Sequence, residues 1–127
     1  MTHQDSTDDQ TTVGQLRQAV AAFVDARDWR PFHGAKNLSM SIAIEAAELM
    51  EHFQWLTPEE TLAVLEDPDE RAAVADEVAD VVIYCLSLSN ALGLAISPAV
   101  LGKLRTNEQR YPVDQFRGRF RRPEREK

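Results

Sequence analysis

A chain of 127 residues and 14.3 kDa has the length of one domain and room for one core. Hydrophobic residues at 43% and charged residues at 28% are ordinary for a globular protein. A net charge of −7 and a pI of about 4.9 exclude a general nucleic-acid binder, which needs a basic face.

The first residues, Met1 to Gln10, are polar and acidic, unlike a signal peptide. Residues 1–11 read as a disordered N-terminal tail. Thr12 can cap a first helix over about 13–28, with Leu16, Val20, Phe23 and Val24 at helical spacing. The run Trp29-Arg30-Pro31-Phe32-His33-Gly34 breaks the chain before a second helix, about Leu38 to Leu56. Thr57, Pro58 and Glu60 form a cap, a first-turn proline and a capping box for a short helix ending near Leu65. Asp67-Pro68-Asp69-Glu70 repeats that grammar and opens the longest helix, about 69–92, which Gly93 ends. Ser97-Pro98 opens the last helix, which stops at Tyr111-Pro112.

Val81 to Gly102 holds 22 uncharged residues, but Ser, Asn, Gly and Pro interrupt it. Two helices around a turn explain it better than a membrane span. The lone Cys85 excludes a disulfide framework, fits a reducing cytoplasm and reads as an inert core residue. Residues 12–112 thus form one all-α, bundle-like domain. Residues 113–127 read as a flexible basic tail. Residues 101–127 carry nine of the 14 Lys and Arg against four acids, a local net of +5, which leaves −12 for residues 1–100.

Four acids stand where apolar residues are expected. At about 100° per residue, Glu45 lies within about 60° of Leu38, Ile42 and Leu49, and Glu48 sits one turn on. Glu77 lies within about 60° of Val74, Val81, Tyr84 and Leu88, again with Asp80 one turn on. Ionised carboxylates on an apolar stripe need a partner. The second helix has no Lys or Arg from Leu38 to Trp55, and the long helix has only Arg71. The doubled pattern, ExxE then ExxD with 28 residues between, points to a multivalent cation. All-oxygen donors favour Mg²⁺ or Mn²⁺ over Zn²⁺. A di-iron bundle would want Glu-x-x-His on two helices; here Leu49 stands three before His52, and the long helix has no His.

Trp55 follows Glu48 by seven residues, and Tyr84 follows Asp80 by four. Flat side chains beside such a site can stack a nucleobase. Lys103, Asn107 and Arg110 share one stripe of the last helix, within about 60°, and suit phosphate oxygens. Acids, flat groups and a phosphate stripe together suit a nucleoside triphosphate, and no GxxxxGK[ST] loop is present.

The runs EAAELMEHFQW (45–55), DEVADVVIY (76–84) and KLRTNEQRYP (103–112) resemble the MazG-like all-α nucleotide pyrophosphohydrolases, most of all the dCTP pyrophosphatase branch. The similarity runs from about Leu16 to Pro112. It implies a four-helix-bundle-like fold and Mg²⁺-dependent hydrolysis of a triphosphate to the monophosphate and pyrophosphate. It implies further that Glu45, Glu48, Glu77 and Asp80 hold the metal and that Trp29, His33, Trp55 and Tyr84 line the nucleoside pocket. Lys103, Asn107 and Arg110 would stand near the phosphates, in a homodimer or homotetramer. One position departs: a His that relatives place in the first helix corresponds to about Val20. Either Glu45 or Glu48 would accept the proton of the attacking water. Neither a nucleic-acid polymer nor a membrane is an expected partner. Two other readings stay open: a non-catalytic helical module that binds nucleotides or regulates a partner, and a hydrolase of phosphoribosyl-ATP-type substrates.

Overall fold

A computed structural model describes residues 7–122, and among them there is helix, turn and loop but no strand. The chain divides after Leu94 into two compact units. The first contains α1 (Val13–Asp25), one turn of 3-10 helix (Arg30–Phe32), α2 (Ala35–Glu51), α3 (Pro58–Val64) and α4 (Pro68–Leu92). The second contains α5 (Ile96–Arg110) and α6 (Val113–Phe116).

The helix starts follow local chemistry. The Thr12 hydroxyl accepts from the Gln15 N–H at 3.1 Å, and the Gln15 side chain accepts from the Thr12 N–H at 2.7 Å. This is a complete capping box. At α3 only half of the expected box forms: Thr57 accepts from the Glu60 N–H at 3.2 Å, but the Glu60 carboxylate does not return the bond. The Asp67 carboxylate accepts from the N–H groups of Asp69 (2.8 Å) and Glu70 (3.3 Å), satisfying two free donors at the start of α4. Gly93 ends α4 in the left-handed region at φ 64°, and Leu94 N–H returns to Ser89 O at 2.9 Å.

Several boundaries differ from those expected. Helix α2 begins at Ala35 and ends at Glu51, not Leu56. Beyond it, Phe53 N–H bonds Met50 O and Leu56 N–H bonds Phe53 O, both at 3.0 Å, so Phe53 to Leu56 make tight turns instead of helix. Helix α1 stops at Asp25, and Asp28 takes a positive φ of 52°. Helix α5 starts at Ile96 with no side-chain cap. The Thr7 carbonyl closes a turn with the N–H groups of Gln10 and Thr11, so part of the expected N-terminal tail has local structure. The turn of helix at Val113–Phe116 likewise lies in the expected basic tail. Its Phe116 ring meets Tyr111 edge-on at 5.1 Å, and Arg122 donates to Arg110 O at 3.2 Å. The rest of both expected tails, residues 1–6 and 123–127, lies outside the described residues.

Helix α4 is the hub of the first unit, with α1 and α2 packed on it. Val24, Leu38 and Leu86 are the buried apolar residues among those described, and only Leu38, 1% exposed, is fully enclosed. Ser87 and Ser89 are buried with them. Ser89 satisfies its hydroxyl on Leu86 O at 2.8 Å. Arg17 Nε donates to Asn90 Oδ1 (3.0 Å) while Asn90 Nδ2 donates to the Arg17 carbonyl (3.1 Å), tying α1 to α4. Cys85 is half-buried, less enclosed than expected of a core residue. The uncharged run from Val81 is the end of α4, the Gly93 turn and the start of α5, and no single helix among the described residues is long and apolar enough to cross a membrane.

Candidate active site

Glu45 and Glu48 project from α2 one turn apart, and Glu77 faces them from α4. Each offers one carboxylate oxygen to a group lying within 4.8 Å of one another. Glu45 Oε2 and Glu77 Oε2 are buried with no hydrogen-bond partner. Among the described residues no Lys or Arg forms an ion pair with any of the four acids; the one charged-type neighbour is His52, whose Nε2 lies 3.9 Å from Glu77 Oε1. Converging anions with orphaned buried oxygens fit a hard divalent cation.

The Glu45 carboxyl is pushed up to about 7, chiefly by burial, then by a hydrogen bond to Glu48 and by the charges of Glu48, Asp80 and Glu77. Asp80 is therefore near enough to act on Glu45, although it is not one of the three converging groups.

Asp80 also lines a cavity of about 1060 Å³ between α1 and α4. Its walls are mostly apolar, with Leu16, Val20 and Phe23 from α1 and Val78 and Ile83 from α4. Trp29, His33 and Tyr84 also line it, so three of the four residues expected around a nucleoside meet here. Trp29 stacks on His33 with centroids 6.1 Å apart and planes at 25°, and Phe23 meets Trp29 edge-on at 5.8 Å. The Arg27 guanidinium lies 3.7 Å over the Phe23 ring. His33 Nδ1 is buried without a partner. A smaller cavity of about 390 Å³, beside the Asp25–Arg30 ion pair, shares Val24, His33 and Ser87 with the larger one.

Trp55 is not brought to either cavity and is 84% exposed, because α2 ends before it. Lys103, Asn107 and Arg110 lie on α5 in the second unit; Asn107 is half-buried and the two cations are exposed. Two neighbours of the site were not expected from the sequence. Phe23 stands in the sequence only as one of four apolar positions at helical spacing in the first helix, and in the structure it lines the cavity. His52 carried a signal, its seven-residue spacing from Glu45.

The family model of the MazG-like family matches residues 40–121, which include all four acids. The chain belongs to the MazG-like family. Among its relatives, dCTP pyrophosphatase 1 of Rattus norvegicus is 39% identical over 107 residues, covering 84% of this chain and 63% of that protein. The human dCTP pyrophosphatase 1 is 37% identical over 110 residues, covering 87% and 65%. The chain thus spans under two thirds of the length of these curated relatives. A crystal structure of a pyrophosphatase from Archaeoglobus fulgidus is 40% identical, with a TM-score of 0.73, covering 78% of this chain and 91% of that one. The MazG-like match begins after the Trp29–His33 break, so that wall of the cavity lies outside the matched segment.

Proposed function

We propose that this chain is a metal-dependent pyrophosphohydrolase that cleaves a deoxynucleoside triphosphate, dCTP or a modified dCTP, to the monophosphate and pyrophosphate. One observation carries the reading: three carboxylates from two helices converge, two of them with unpartnered buried oxygens, beside a cavity that contains stacked aromatic rings. Glu45, Glu48 and Glu77 would hold the ion, with Asp80 completing the set on the cavity side. Mg²⁺, or Mn²⁺ in its place, offsets phosphate charge and makes water more acidic when bound at such a site.

The chain's own groups supply the rest. Trp29 and His33 hold the nucleoside by stacking, with Tyr84 lining the same cavity. Glu45 or Glu48 accepts the proton of the attacking water. The water oxygen bonds to phosphorus as the bond to the pyrophosphate oxygen breaks. Lys103, Asn107 and Arg110 offset and hold the polyphosphate. Trp55 belongs to the nucleoside site in an assembled form.

That assembled form is a homodimer or homotetramer in which a four-helix-bundle-like core is completed between chains. The support is the thin core: Met40, Ile44, Met50, Leu62 and Val82 are each more than 40% exposed. Large exposed apolar surface marks an association site. The role is removal of surplus or non-standard nucleotides in the cytoplasm.

The test is incubation of the pure protein with canonical and modified triphosphates, with and without Mg²⁺, followed by chromatography of products. Monophosphate and pyrophosphate in equal amounts, with dCTP or a modified dCTP preferred, are expected. Binding without turnover of any triphosphate would overturn the enzyme reading in favour of a regulatory module.

A further inference from the structure

His52 stands beside the acid cluster without belonging to it. It lies seven residues after Glu45, about 20° around the helix axis. Although it caps α2, its dihedrals remain helical (φ −63°, ψ −25°), so it stays on the Glu45 face. Its Nε2 lies 3.9 Å from Glu77 Oε1, with the two side chains 24% and 22% exposed. Its nitrogens are not among the ligand atoms that converge. Glu77 Oε2, in contrast, is buried and unpartnered. The two oxygens of one carboxylate thus have different surroundings: one faces an imidazole, and the other has no protein partner. A ligating carboxylate is commonly fixed by a donor on its outer side, and loss of that donor weakens metal affinity about 10–100-fold. A contact of 3.9 Å leaves room to shorten when an ion draws Glu77 into place.

We propose that His52 is a positioning residue that holds one oxygen of Glu77 so that the other is presented to a divalent ion shared with Glu45 and Glu48. This rests on the metal reading above. The experiment is calorimetric titration of the full chain with Mg²⁺ and with Mn²⁺, for the wild type, His52→Gln and His52→Met. Gln can place an amide nitrogen where Nε2 stands, whereas Met has similar bulk and no donor. The Met variant should bind about 10-fold more weakly, with helical circular dichroism unchanged and turnover restored by raised Mg²⁺. The Gln variant should stay within about threefold of the wild type, less than a lost donor costs. Equal affinity in all three proteins overturns the proposal, and so does an equal loss in Gln and Met, which would mean packing alone. Should the Met variant fail to fold, imidazole NMR of the wild type during Mg²⁺ titration decides: His52 resonances must move, and their constancy overturns the proposal. A wild type that binds neither ion sinks the metal reading itself, a result distinct from unchanged affinity in the variants.

Discussion

At the scale of single residues, the acid cluster concentrates negative charge that the folded chain, without an ion, has to tolerate. Glu48→Gln and Asp80→Asn should each lower turnover at least about 100-fold, with helical circular dichroism unchanged; full activity in either would remove that residue from the reaction. Glu45 makes a separate prediction about pH. Its carboxyl has a raised value of about 7 in the folded chain against the ordinary 4.5. Between those values the folded state holds a proton that the unfolded state has lost. The group's contribution to stability is therefore complete below 4.5 and disappears as pH rises through about 7. Urea unfolding at pH 5 and pH 8 should show the metal-free wild type losing more stability than Glu45→Gln across that interval. Mg²⁺ should protect the wild type at pH 8, because an ion bound only to the folded state stabilises it.

Among the helices, stability depends on termini as much as on packing. Asp67 satisfies two N–H groups at the start of α4, and Asp67→Ala should cost about 1 kcal/mol. Gly93→Ala places a Cβ in the left-handed region and should cost about 1–2 kcal/mol. Thermal or denaturant unfolding measures both. These ends were readable in the sequence because Thr12, Thr57, Asp67 and Gly93 act on backbone groups two to four residues away. The end of α2 was not readable. Phe53, Gln54 and Trp55 carry no breaker, and the chain leaves the helix through turn bonds that spacing alone does not specify. Helix α6 is too short for any periodicity to appear. The acid site was visible as carboxylates placed inside two apolar stripes. The cavity was not, because Val20 and Phe23 share their pattern with ordinary core residues, and only the seating of α1 on α4 separates the two roles.

At the scale of the molecule, few apolar side chains among the described residues are fully enclosed within the chain, and association is the proposed remedy. Analytical ultracentrifugation should give twice or four times the mass of one chain. The melting temperature should rise with protein concentration, as mass action requires of linked folding and assembly. A monomer whose melting temperature is independent of concentration would remove the oligomer from the reading.

The reciprocal pair between Arg17 and Asn90 has a mechanical consequence. Side-chain packing sets the axial offset of α1 on α4 by seating ridges in grooves, and a polar pair adds a directional constraint that apolar contact lacks. Two opposed hydrogen bonds act as a set screw on that joint. The Trp29 and His33 rings, which α1 carries past its C-terminal end, take part of their alignment from that fastening and part from α2, where Asn37 holds the Phe32 carbonyl.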